Sequence, residues 1–362
     1  MLLKMVISYI NRKEELHNKN MSANINSKRV IVLGATGSLG THIAVHMKQC
    51  GYDVIAVGHS RPDNGFYAER GIEYMTMDIA DKSAFDRLPQ ENVWAVLNFA
   101  GALPAIMEGF NGDLYISSVV QGTMNVLEYC RKVKADRVVF PQSLFDVHHL
   151  FGSKEPIPAE PTHITPYEGD HAVYVICKNA ACDLIEHYYH TYGLKRFIFR
   201  LSRIYLYHPN PYTYTDGKKV MVSDRFLIYK AMKGEQLEIW GDPDRLLETI
   251  CIKDFLQIIE KSVQANHDGG FYNVGSGGST LRERIEAIAD VFSPKGKKCS
   301  IAYRPEKPSS TQFVLDYSKT EQELGYHPQY SFKDYLEDFK QEMAEQPFAK
   351  IWGLESDFHN VD

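Results

Sequence analysis

A chain of 362 residues that is 44% hydrophobic has material for one large core or two unequal ones. Its net charge of −6 leaves no basic footprint for nucleic acid, and no apolar run approaches the roughly 18–20 residues that span a bilayer. Six cysteines (Cys50, Cys130, Cys177, Cys182, Cys251, Cys299) follow no metal spacing and read as free thiols in a reducing, cytoplasmic setting.

Residues 1–27 read as a flexible leader. Met1 to Ile10 is mildly apolar, but charged residues follow without a small-residue cleavage site, which argues against a secretory signal, and Met21 is a candidate start. The first element of a fold is Val30-Ile31-Val32-Leu33, a buried parallel strand by its β-branched content. It runs into Gly34-x-x-Gly37-x-x-Gly40. An amphipathic helix follows, with Leu39, Ile43, Ala44 and Met47 on one face and Gly51 as its stop. Strand, glycine turn and helix open a dinucleotide-binding unit. Glycines let backbone approach a pyrophosphate, and the helix N-terminus offers it free N–H groups and partial positive charge. Gly34, Thr36, Gly37, Ser38, Leu39 and Gly40 are therefore cofactor candidates.

The second strand, Val54–Val57, ends at Gly58-His59-Ser60-Arg61. NAD enzymes place a carboxylate there for the ribose 2′-OH. Here none is present to repel a 2′-phosphate, and Arg61 is placed to bind one, with a solvated turn as the plain alternative. NADP is the expected cofactor, NAD the second choice. A strand from Glu73 to Met77 ends at Asp78-Ile79, where the carboxylate suits an adenine amino group. A fourth strand, Val93–Leu97, is followed by Asn98-Phe99-Ala100-Gly101, small enough for close backbone passage along a cofactor.

A helix around Tyr115–Arg131 and a fifth strand, Arg137–Phe140, lead to Pro141-Gln142-Ser143. Residues 151–169 read as a long loop, and Asp170 as the N-cap of a helix from His171 to Tyr192. Tyr174 and Lys178, four apart, share one face of that helix. Strand Arg196–Leu201, a Tyr- and Pro-rich stretch to Tyr214, helix Arg225–Lys233, a strand near Glu238–Trp240, a helix from Asp254, the Asn273–Gly278 turn, a helix to Phe292 and a helical pattern over Asp316–Gln341 complete the chain. His148-His149 and the His187/His190 pair lack a placed third ligand, so no metal site is expected. Cys177 faces away from Lys178 and reads as a core thiol.

These residues resemble the extended short-chain dehydrogenase/reductase family, whose members include nucleotide-sugar epimerases, dehydratases and reductases, and most of all the UDP-galactose 4-epimerase type. The match covers about residues 28–345, on the glycine loop, Asp78, Asn98–Gly101, Ser143, Tyr174-x-x-x-Lys178, Asn273-Val274-Gly275-Ser276 and Arg304-Pro305. The resemblance implies a Rossmann doubly wound parallel sheet, in residues 28–202 plus about 246–274. It implies a smaller C-terminal substrate cap, in 203–245 plus 275–345, followed by a tail from 346. It also implies a nucleotide diphosphate-sugar substrate and a homodimer through helices near 114–132 and 171–192. Val119 and Arg203 stand where the family has asparagines, and Leu247 where it has an arginine.

The implied chemistry is hydride transfer at one sugar carbon, C4 by analogy, by Ser143, Tyr174 and Lys178. Phe99, Ala100, Gly101 and Ile79 would line the cofactor with His59, Ser60 and Arg61. A tyrosine serves as base near neutrality only if its pKa drops by about three units, roughly 4 kcal/mol, and a lysine cation beside it supplies part of that. Arg203, Arg225, Arg245 and Arg304 are candidates for the substrate, with Arg245 and Arg304 as a diphosphate clamp. Dehydratases of this family carry Asp-Glu after the residue that Ser143 matches. Leu144-Phe145 stand there, with Asp146 one position late, so no water elimination is expected. A silent NADP sensor on the same fold and a dehydrogenase of a non-sugar alcohol are the alternatives.

Overall fold

The computed structural model describes residues 28–162, 164–169, 171–308 and 310–359. The expected leader with Met21, and the N-cap Asp170, lie outside the described residues. Seven strands form a parallel sheet: β1 (Arg29–Leu33), β2 (Asp53–Gly58), β3 (Glu73–Thr76), β4 (Val93–Asn98), β5 (Arg137–Ser143), β6 (Lys195–Leu201) and β7 (Gly269–Val274). Their order is β7-β6-β5-β4-β1-β2-β3. The chain reverses its winding between β1 and β4, which opens a crevice at the carboxyl ends of the strands.

Strand alternation divides the core. Val30 and Val32 of β1 point to one face, where they pack with Ile43, Ala44 and Met47 of α1 (Ser38–Gln49). Ile31 and Leu33 point to the other, against α2 (Gly122–Val133) and α3 (Ala172–Tyr192) through Val126, Leu127, Val175 and Ile185. The first of these clusters continues into the C-terminal region. Ile228 of α4 (Ser223–Met232), Phe255 of α5 (Ile252–Gln264), Ile285 of α6 (Leu281–Phe292) and Phe339 of α7 (Phe332–Glu345) belong to it. A parallel two-stranded sheet, Leu237–Trp240 with Ile301–Arg304, and a hairpin, Tyr212–Thr215 with Lys218–Met221, lie in the same region.

Three stretches differ from the sequence reading. The helix read as Tyr115–Arg131 enters through a π-helical turn, Ile116–Gln121, which hydropathy periodicity does not reveal. The helical pattern over Asp316–Gln341 is two helices, Ser318–Leu324 and α7. It breaks at Gly325, whose φ of +62° ends the first, and resumes at a capping box of Ser331 and Asp334. The tail from 346 is folded: Ala349–Trp352 and Ser356–His359 are helical, and Trp352 is buried in the core cluster. Its indole N–H donates to the Thr36 carbonyl at 3.2 Å, so the chain's end is seated on the glycine loop.

Candidate active site

The glycine loop is shaped by backbone alone. Gly34 sits at φ +83°, and an added Cβ would lie 2.5 Å from the Phe99 carbonyl oxygen. The amides of Gly34 and Ala35 both donate to Val57 O at 2.9 Å, which ties the loop to the end of β2. Gly40 faces the Gly34 carbonyl too closely to carry any side chain. Helix α1 starts after Gly37 with no capping side chain and no acidic residue in its first turn. The amides of Ser38, Leu39 and Gly40 are therefore available to an external anion.

At the next strand ends, His59, Ser60 and Arg61 are exposed. The His59 ring lies 3.7 Å from the Asp78 carboxylate, which also accepts the Ala80 amide at 2.9 Å. The Tyr74 hydroxyl donates to the Arg61 carbonyl and fixes the backbone there, filling the space that Gly58 leaves. Beyond β4, Gly101 takes φ +135°. Asn98 Oδ1 and Thr123 Oγ1 are buried without a hydrogen-bond partner among the described residues. Ile79 packs on Gly122, where a Cβ would come within 2.6 Å of it. A run of glycines, open first-turn amides and unsatisfied polar atoms along one sheet edge fits a dinucleotide.

Tyr174 and Lys178 are buried on the inner face of α3. Lys178 Nζ donates to the Pro141 carbonyl of β5 at 2.8 Å and lies 5.8 Å from the Tyr174 ring centre. Ser143, two residues past Pro141, ends β5, and its Oγ accepts the Phe145 amide at 3.2 Å. Burial pulls the Lys178 ammonium down to about 8. Burial also pushes the Tyr174 hydroxyl above its ordinary value, with Tyr115 and Cys182 adding to the shift. The lowering expected from Lys178 is not seen in the protein alone, where taking a phenolate out of water dominates.

The four arginines that the sequence offered for a substrate are each engaged by a different partner. Arg203 pairs with Asp224 at 3.2 Å and Arg304 with Glu238 at 3.1 Å. Arg225 is buried against Glu355 at 2.8 Å and donates to the His208 carbonyl, so it braces the C-terminal segment. Arg245 is held by the Ser310 carbonyl and hydroxyl, and its buried Nε has no partner among the described residues. Burial, with Arg284 nearby, pulls its guanidinium below the ordinary range.

Asp146 is locked away. Both of its oxygens accept from Arg200 at 2.8 Å, and Arg200 also reaches Asn273 Oδ1 at 2.9 Å. Phe145, in the family's carboxylate position, stacks on His171 with ring centres 3.9 Å apart. Sequence reasoning missed Tyr115, whose ring centre is 5.7 Å from that of Tyr174 and which lies immediately before the π turn. It also missed Arg284, buried and donating to Tyr205, Leu247, Thr249 and Ser279 under the cap. Both depend on partners far away in the chain.

Fold and edge together define a dinucleotide-binding α/β enzyme of the extended short-chain dehydrogenase/reductase type. A model of the NAD dependent epimerase/dehydratase family matches residues 30–275, and the chain belongs to that family. A Methanocaldococcus jannaschii protein provisionally named a UDP-glucose 4-epimerase is 25% identical over 309 residues, covering 84% of this chain and 95% of its own. A dTDP-glucose 4,6-dehydratase of Xanthomonas campestris is 29% identical over 276 residues, 71% of this chain and 74% of its own. The solved structure of UDP-glucuronic acid 4-epimerase from Bacillus cereus in complex with NAD superposes with a TM-score of 0.64 at 18% identity, over 88% of this chain and 98% of that one.

Proposed function

We propose that the protein transfers hydride at one carbon of a nucleotide diphosphate-sugar, C4 by analogy with its relatives, as an epimerase or a keto-sugar reductase. The observation that carries the reading is Lys178 anchored on Pro141, beside Tyr174 and next to the strand end that bears Ser143, on the same sheet edge as the open glycine loop. A nicotinamide dinucleotide held by the loop, by Arg61 and by Lys178 supplies the hydride acceptor and a further positive charge. Tyr174 takes the proton of the sugar hydroxyl, and Ser143 donates to the same oxygen. Lys178 holds the ribose and favours the tyrosinate. In the reverse direction Tyr174 returns its proton to the alkoxide.

Among the described residues Arg225 and Arg245 each have a buried Nε without an acceptor, but Arg225 is committed to Glu355, so Arg245 is the better candidate for a diphosphate. The two helices proposed for a homodimer carry outward-facing apolar side chains, Leu114, Ile116, Ile176 and Tyr192. NADP and a cytoplasmic setting belong to the same proposal.

Kinship with a dTDP-glucose 4,6-dehydratase raises water elimination as a second reading. That reaction needs an acid and a base beyond the tyrosine. Leu144 and Phe145 transfer no proton, and Asp146 is bound up with Arg200. Incubation with UDP- and dTDP-hexoses in deuterated water separates the two. An isomer of unchanged mass, or a cofactor-dependent gain of two hydrogens, supports hydride exchange; loss of the elements of water with one deuterium incorporated at C5 overturns it.

A further inference from the structure

At the end of α1 opposite the glycine loop, His46 and Cys50 lie one helical turn apart and face Glu260 of α5. His46 Nε2 is 3.2 Å from Glu260 Oε2, and Cys50 Sγ is 3.5 Å from His46 Nε2. All three donor atoms lie within 4.8 Å of one another, and each residue is half-buried. We propose that His46, Cys50 and Glu260 form a zinc site that clamps the cofactor-binding helix to α5.

The spacing suits the ion. Around a tetrahedral zinc with bonds of about 2.0 Å to nitrogen or oxygen and about 2.3 Å to sulfur, the nitrogen–oxygen edge is about 3.3 Å and the nitrogen–sulfur edge about 3.5 Å. The soft thiolate and the borderline imidazole select zinc over magnesium or calcium, and zinc accepts the harder carboxylate as third ligand. The carboxylate is already oriented: Gln264 Nε2 donates to Glu260 Oε1 at 3.0 Å and leaves Oε2 for the ion. Such outer partners hold metal ligands in place. Water completes the tetrahedron from the open side. Binding displaces the Cys50 thiol proton to solvent, with no change of oxidation state. The cluster stands about 12 Å along α1 from its first turn, so the ion stiffens the cofactor helix without touching the reacting atoms.

His46-x-x-x-Cys50 is legible in the sequence, but its third ligand comes from 210 residues further on, which is why scanning cysteine spacings passes over it. The other five cysteines are buried.

The test uses the full-length chain and cobalt(II) as an optical probe, with zinc as competitor. Wild type is expected to bind one equivalent, with a thiolate-to-cobalt charge-transfer band in the near ultraviolet and intense tetrahedral bands in the visible, both lost on adding zinc. Cys50→Ser is expected to lose the near-ultraviolet band while keeping the circular dichroism of wild type. Gln264→Ala is expected to weaken affinity about 10- to 100-fold with the band position unchanged. A wild type without the band, or a band that survives in Cys50→Ser, overturns the proposal. These readouts do not depend on turnover, so they stand apart from the proposed reaction.

Discussion

The two ends of the candidate site are built in opposite ways. On the cofactor side, recognition is left to backbone: Gly37 precedes α1 without a capping side chain, and Gly34 and Gly40 keep carbonyls and amides in place by having no side chains. On the cap side every arginine singled out from the sequence already holds something, Asp224, Glu355, Ser310 or Glu238. A backbone site is specified by the residues that form it. A side-chain clamp is specified as much by what else reaches its cations, and those partners come from distant parts of the chain.

That difference predicts its largest effect at Gly34. Alanine there forces a left-handed backbone on a residue with a Cβ and drives that Cβ into the Phe99 carbonyl. Gly34→Ala is expected to cost at least about 3 kcal/mol of stability and to abolish cofactor binding. Denaturant unfolding and calorimetric titration measure both. A variant that binds cofactor like wild type would show that the loop is not the phosphate cradle.

Next in size is the reaction itself. Tyr174→Phe removes one hydroxyl and little contact area. It is expected to lower turnover about 10²–10⁴-fold with cofactor affinity within a few-fold, whereas Lys178→Ala damages both. Retention of more than about a tenth of wild-type turnover in Tyr174→Phe means that another group moves the proton.

On the cap side the comparison becomes a stability experiment. Arg225→Met takes the cation away from the buried Glu355 carboxylate, which keeps hydrogen bonds from the Tyr207 and Tyr229 hydroxyls, and is expected to cost about 3 kcal/mol. Arg304→Met removes a half-exposed pair with Glu238 and is expected to cost less than about 1 kcal/mol. If Arg304 nonetheless contacts substrate, its variant raises KM while unfolding stays unchanged. Equal destabilisation by the two would break the distinction drawn between a buried brace and a half-exposed pair.

The legibility of the chain follows the same line. The sheet, the glycine loop and the Tyr174/Lys178 pair depend on periods and spacings of a few residues, and they can be read. The π turn that follows Tyr115 cannot, because a π turn leaves no mark in composition or hydropathy, and the approach of Tyr115 to Tyr174 depends on a distant helix. The seating of Trp352 on Thr36 and the Arg225–Glu355 pair join positions more than a hundred residues apart. The segment from 346 reads as a tail until Phe348 and Trp352 are seen packed on each other and against His42.

The smallest effect, and the one that sharpens the cofactor side most, concerns Arg61. Its backbone is held by Tyr74, so its position is defined, but its side chain is exposed. A guanidinium–phosphate contact in water is screened, and exposed ion pairs contribute about 0.2–1 kcal/mol, so it cannot dominate affinity. It can decide between two cofactors that differ by a single phosphate, because Gly58 contributes no carboxylate to repel one and the Asp78 carboxylate has His59 beside it. Arg61→Ala is therefore expected to weaken NADP about 2- to 5-fold and to leave NAD unchanged. The wild-type preference should also narrow as salt rises from about 0.05 to 0.5 M. Titration of the apo protein with each cofactor at both salts reads all three values. A wild type that prefers NAD at low salt would remove Arg61 from the site, and would favour an epimerase, which must regenerate its own bound cofactor, over a reductase, which draws reducing equivalents from a pool.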